Sequence, residues 1–167
     1  MSAVSIRNAE IGDLQKLTDL YNHYVKTSPA TFDLEPVSLE SRKVWMSHYA
    51  DTGRHRLLIA VDGREIAGYA TSGKVREKPG YLTSIETTVY VHPDFHGRGV
   101  GTMLYETLFA ALANEDIHRV YAAIVTPNPA SIALHARFGF APAGLYREIG
   151  RKFGRYWDVQ WFERPFP

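Results

Sequence analysis

The sequence has no cysteine in its 167 residues. That absence excludes disulfide staples, thiolate metal sites, iron–sulfur clusters and a cysteinyl acyl-enzyme. It fits a cytoplasmic protein, where thiol bridges are rare in any case. A chain of this length buries enough apolar surface to fold unaided, and it suits one domain over residues 1–167. An excess of either charge is also missing: 19 Lys and Arg stand against 18 Asp and Glu, a formal net charge of +1. Nothing in that balance favours nucleic acid or an anionic lipid surface, so phosphate binding requires a local site. Long apolar runs are lacking too. The longest, residues 108–113 and 120–125, have six residues each, far short of the roughly 20 that a membrane span needs. The N-terminal stretch has no signal-like apolar segment and soon meets Glu10 and Asp13. The expectation is a soluble, cytoplasmic protein with neither nucleic acid nor membrane as partner.

Aromatic residues are plentiful, at 13% with ten Tyr and three Trp. Periodicity divides the chain into elements. A short alternating strand covers residues 4–7. Leu14, Leu17, Leu20, Tyr21, Tyr24 and Val25 then recur at helical spacing within a helix over residues 11–26. A loop with Pro29 and Pro36 precedes a second helix, capped by Ser38 and running to residue 49. Strands over 56–61 and 65–71 flank Asp62-Gly63, a hairpin dipeptide. Residues 74–80 are loop-like, and 82–91 form a strand rich in β-branched residues. Helices follow from Val100 to residue 115 and from Asn128-Pro129 to Gly139, with a strand over 118–125 between them. Two closing strands cover 140–149 and 152–162, with Trp157, Val159 and Trp161 on one face of the last. The order is β-α-α-β-β-β-α-β-α-β-β. Three strands in succession do not suit a Rossmann alternation, so the fold class is α/β, a sandwich on a mixed sheet.

One segment carries the most chemical information. After the strand ending in Val89-Tyr90-Val91, Pro93 stops the ladder, and His96-Gly97-Arg98-Gly99-Val100-Gly101-Thr102 leads into a helix. The first amides of such a helix lack intrahelical partners, glycine permits close approach, and the dipole favours an anion. The arrangement can cradle a pyrophosphate, with Arg98 adding a charged contact. The alternative is a glycine loop that simply turns the chain. His92 and His96 are four residues apart, but Pro93 and the glycines deny them a shared helical face. No third ligand is evident, so no metal is expected.

Val91-His92-Pro93 followed by His96-Gly97-Arg98-Gly99-Val100-Gly101 resembles the acetyl-CoA signature of the GNAT N-acetyltransferase superfamily, Arg/Gln-x-x-Gly-x-Gly/Ala, with His96 at the Arg/Gln position. Residues 21–25, 84–91, 128–135 and 152–159 are similar to the phosphinothricin and methionine sulfoximine/sulfone N-acetyltransferase branch. The resemblance implies a mixed, largely antiparallel central sheet flanked by helices. It also implies acetyl-CoA as cosubstrate and direct attack by a small-molecule amine in a ternary complex.

The residue roles follow from that resemblance. Glu86 shares a strand face with Ser84, Thr88 and Tyr90 and is the expected general base; a carboxylate paired with an arginine is the alternative. Val89, Tyr90 and Val91 offer backbone groups to the pantetheine arm and thioester, and residues 96–102 hold the pyrophosphate. Asn128 caps its helix and also bonds the pantetheine arm, with Ser131 beside it. His135 stands where many relatives have an acidic tyrosine. It is either the acid that protonates the departing thiolate or a helix histidine packed on the sheet. Arg76 suits a substrate α-carboxylate, with a solvated loop arginine the alternative; Tyr81 and Phe32 are candidates for the same pocket, with Phe32 otherwise plain core. The aromatic closing strands, and the family, suggest a homodimer. Two other activities stay open: acetylation of a protein N-terminus or polyamine, and a non-catalytic acyl-CoA binding module.

Overall fold

The computed structural model describes residues 3–167. Its elements follow the expected order: β1 (Ser5–Asn8), α1 (Leu14–Thr27), α2 (Leu39–Met46), β2 (Leu57–Asp62), β3 (Glu65–Lys74), β4 (Ser84–Val91), α3 (Val100–Leu112), β5 (Arg119–Thr126), α4 (Pro129–Arg137), β6 (Ala141–Lys152) and β7 (Arg155–Pro165). The strands form one seven-stranded sheet in the order β1-β2-β3-β4-β5-β7-β6. Every pairing is antiparallel except β4 with β5.

Local chemistry explains where the elements depart from the periodicity. Residues 11–13 form a 3-10 turn rather than the start of α1. Asp13 accepts the Glu10 amide at 2.8 Å and pairs with Arg7 at 2.8 Å, which fixes that turn ahead of the helix. The second helix is shorter than the pattern suggests. The Ser47 amide reaches the Lys43 and Val44 carbonyls, and its hydroxyl donates to Val44 at 2.6 Å, tightening the last turn. Ser38 caps α2 as expected, accepting the Ser41 amide at 3.1 Å. The two closing strands extend further than alternation alone indicates, to Lys152 and Pro165.

The sheet is covered on both faces. Leu17 and Leu20 of α1, with Leu57, Ile59, Ile66 and Tyr69, form one buried cluster, and Trp45 of α2 packs against it. Leu104, Leu108 and Leu112 of α3 form the other with Leu58, Ala60, Ile85 and Val120. Adjacent residues of β2 therefore point into opposite cores, as the strand period requires.

The parallel pair positions the site. β4 and β5 are in register only from Ser84↔Arg119 to Glu86↔Tyr121. Beyond that point β4 stays with β3 as far as Val91, and β5 stays with β7 as far as Thr126. The sheet splits into two halves there, and the edge of β4 that faces β5 loses its ladder partner.

Candidate active site

A cavity of about 630 Å³ fills this split. Residues 87–91 of β4 and 122–125 of β5 form two of its walls. The loop before α3, one side of α4 and residues 28–30 after α1 close the rest. Gly97 and Gly99 have φ of 74° and 76°, left-handed values that glycine adopts without steric cost. Gly101 also needs its missing side chain, because a Cβ there would stand 3.2 Å from Leu134. The Met103 amide reaches Gly99 at 3.0 Å. The amides of Val100, Gly101 and Thr102, ahead of it, have no backbone partner among the described residues. Free amides, a helix N-terminus and a glycine approach together suit a pyrophosphate. An open strand edge beside them suits an extended, amide-bearing arm.

The side chains of this segment are turned elsewhere. Arg98 does not line the cavity; it pairs with Asp62 at 3.1 Å and stacks over Phe95. The His96 ring turns back to the strand, with Nε2 at 3.1 Å from the Tyr24 hydroxyl and 3.2 Å from the Val91 carbonyl. Tyr24 donates to the same carbonyl at 2.5 Å. The loop therefore presents backbone rather than side-chain charge. Asn128 caps α4 by accepting the Ser131 amide at 3.2 Å.

His135 lines the same cavity yet is only 3% exposed. Its Nδ1 donates to the Ser131 carbonyl at 2.7 Å, and Nε2 lies 2.8 Å from the Tyr105 hydroxyl, which is itself bonded to Thr87 Oγ1 at 3.1 Å. Burial lowers its pKa, partly offset by the Ser131 bond. Both ring nitrogens are engaged by protein groups. This geometry matches the packing alternative.

On the other side of β4 the sheet face carries three cross-strand rows: Glu86 with Gly73, Thr88 with Thr71, and Tyr90 with Tyr69. Two cavities lie on this face. One, about 420 Å³, holds Glu86 with His48, His55, Lys74 and Glu77; the other, about 340 Å³, holds Arg42, Tyr21 and Asp33. Tyr49, Thr71 and Thr88 line both, and Thr88 also lines the large cavity in the split. Thr88 is thus the point at which all three meet.

Glu86 has no hydrogen-bond or ion-pair partner at contact distance among the described residues. Burial raises its pKa and the charge of Arg76 pulls the other way. A desolvated carboxylate of raised basicity can take a proton from an ammonium group. Arg76 is exposed. Its guanidinium bonds the Val75 carbonyl at 2.8 Å and lies 6.0 Å from the Trp161 ring centre. Tyr81, at 48% exposed on a 3-10 turn, lines none of these cavities. Nor does Phe32, whose ring covers Gly150; a Cβ there would come within 2.2 Å of it.

The structure thus brings Glu86, residues 87–91, the glycine loop, Asn128, Ser131 and His135 together. Arg76 stands at the edge, while Tyr81 and Phe32 lie apart. Periodicity passed over Tyr24, whose helix face reads as core although its hydroxyl serves the strand end. It also passed over Arg42, whose spacing of three from Trp45 on α2 was the available signal.

With this geometry in view, similarity to known proteins is decisive. The profile of the acetyltransferase (GNAT) family matches residues 17–140. The chain belongs to the GNAT acetyltransferase family. Its activity is acetyl transfer. A phosphinothricin N-acetyltransferase of Streptomyces coelicolor is 57% identical over 97% of this chain and 96% of that protein. An L-methionine sulfoximine/L-methionine sulfone acetyltransferase of Pseudomonas aeruginosa is 37% identical over 98% and 94%. A GNAT phosphinothricin acetyltransferase from Sinorhizobium meliloti, solved in complex with acetyl-CoA, superposes with a TM-score of 0.92. It is 29% identical and aligns over 98% of this chain and 88% of that one.

Proposed function

We propose that this enzyme moves the acetyl group of acetyl-CoA onto the α-amino group of a small amino acid analogue of the phosphinothricin or methionine sulfoximine/sulfone class. The transfer is a direct attack in a ternary complex. The observation that carries this reading is the position of Glu86. It is a half-buried carboxylate without an ion-pair partner among the described residues, two residues along one strand face from Thr88, where the acceptor cavities meet the cosubstrate cavity.

The chain's own groups divide the task. Amides of the loop and first turn over residues 97–102 hold the pyrophosphate of acetyl-CoA. The free edge of β4 at Val89, Tyr90 and Val91 orients the pantetheine arm and thioester, with Asn128 and Ser131 alongside. Glu86 takes a proton from the substrate ammonium, directly or through one water, and so frees the lone pair that forms the amide bond. As the C–S bond breaks, the nitrogen gives up its second proton and the thiolate takes one, both exchanged with solvent in the open cavity. His135 holds the ring of Tyr105 and the first turns of α4 in place. Arg76 pairs with the substrate α-carboxylate. We also propose that the chain acts as one domain, in the cytoplasm, as a homodimer. The exposed Leu145, Tyr146, Ile149, Phe153 and Tyr156 of the closing hairpin supply an apolar surface for a second copy.

A thiol-release assay over a panel of amines tests the reading. Turnover of phosphinothricin and methionine sulfone is expected. Consumption of acetyl-CoA with none of the amino acid analogues would overturn it.

A further inference from the structure

Arg42 is a cation that the reaction scheme leaves without a role. It is only 5% exposed. Its guanidinium lies 3.3 Å from the Trp45 ring centre and 4.3 Å from that of Tyr21. One terminal nitrogen donates to the Tyr69 hydroxyl at 2.9 Å. Nε is buried with no partner, and no carboxylate lies at ion-pair distance among the described residues. Asp33, the carboxylate of the same cavity, accepts instead from the Tyr21 hydroxyl at 2.5 Å.

Buried charges are ordinarily paired, because desolvation is costly. Aromatic faces offset only part of that cost. Arg42 lines a cavity, and its Nη1, unlike Nε, is neither occluded nor hydrogen-bonded among the described residues; such a guanidinium is a site for an anion, and its planar fork suits a carboxylate or phosphinate. The location says which anion. The Arg42 cavity shares Tyr49, Thr71 and Thr88 with the Glu86 cavity. Arg42 reaches the Tyr69–Tyr90 row, with the Thr71–Thr88 row between it and Glu86. An amino acid whose amine faces Glu86 would turn its side-chain end toward Arg42, while its α-carboxylate keeps Arg76.

We infer that Arg42 is the specificity-determining residue for the side-chain terminus of the acceptor, and that it selects amino acids whose side chains end in an anion such as a phosphinate. This rests on the reading that small amino acids are the acceptors. It adds that a doubly anionic acceptor is preferred over a neutral isostere.

The test compares kcat/KM for phosphinothricin, which ends in a phosphinate, with that for methionine sulfone, which ends in neutral oxygens. The wild type should favour phosphinothricin. Arg42→Lys keeps the charge but loses the fork, and should lower that preference about tenfold through KM. Arg42→Met should lower it further, and acetyl-CoA affinity should not move. Because a buried cation is also a packing element, the wild type is titrated with phosphinothricin in the presence of coenzyme A, with Trp fluorescence as the readout. Quenching that disappears in Trp45→Phe is expected. Retained preference in a folded Arg42→Lys, equal losses on both acceptors, or no Trp45 signal would overturn the inference. If neither amino acid is acetylated, the substrate reading fails, and the titration still decides whether Arg42 binds the anion.

Discussion

The two sides of β4 are built from different materials. Toward β5, the region proposed for the cosubstrate is backbone: an open strand edge, left-handed glycines and the first amides of a helix. Its polar side chains are spoken for, Arg98 by Asp62 and His96 by the strand end. Toward α1 and α2, the proposed acceptor region is side chain: Glu86, Arg42, Tyr49, Thr71 and Thr88, from two strands, a helix and a loop. A cosubstrate common to many acetyltransferases can be held by groups that every residue carries. An acceptor must be distinguished from others, and only side chains do that. Substitutions should therefore separate cleanly, and any that cross over would break the comparison.

The largest effect belongs to Glu86→Gln. It should reduce kcat by about 10²–10⁴-fold, the usual worth of a general base, while calorimetry finds acetyl-CoA affinity unchanged. The wild-type pH profile sharpens this. The base must be ionised, and burial raises the Glu86 pKa. Falling pH should thus remove kcat/KM through a value above the 4.5 of an ordinary glutamate, and that acid limb should vanish in the variant. A loss of acetyl-CoA binding in Glu86→Gln would contradict the division. Next, Arg76→Ala should raise KM for carboxylate-bearing acceptors by about tenfold, with little change for an acceptor amide lacking the carboxylate. Equal KM changes for both would remove the clamp.

A structural contrast follows. A Cβ on Gly68 would meet the Tyr90 carbonyl at 2.6 Å, whereas on Gly150 it would meet the Phe32 ring at 2.2 Å. A backbone atom fixed in a ladder yields less than a ring. Gly68→Ala should then cost about 1–3 kcal/mol in chemical denaturation, and Gly150→Ala less. The smallest effect concerns His135. Its folded pKa is lowered, so the unfolded chain binds more protons in the window between 6.5 and that lowered value. Stability present above 6.5 should be lost as pH falls through this window. His135→Gln should lessen the loss, as read from the melting temperature at pH 5 and pH 7.

Much of the fold could be read from the residues, for reasons that differ by element. Strong period-2 or helical patterns, and local signals such as Ser38, Asp62-Gly63 and Asn128-Pro129, marked the elements. Element ends were harder: side-chain contacts such as Asp13 with Glu10 and Arg7 decide them, and hydropathy does not carry those. The cosubstrate region was visible because it is contiguous, a strand, a glycine loop and a helix in one stretch. The acceptor region was not, because it assembles Arg42, Tyr49, Thr71 and Glu86 from separate elements. Nothing in a linear pattern shows that Arg42 lacks a carboxylate, or that the Phe32 ring rests on Gly150 rather than in a pocket.

The measurement that bears most directly on the account is kcat/KM with acetyl-CoA for phosphinothricin and methionine sulfone against spermidine and a short peptide with a free N-terminus. The account predicts that the two amino acid analogues exceed both others by about a hundredfold or more. Higher efficiency with spermidine or the peptide would contradict it.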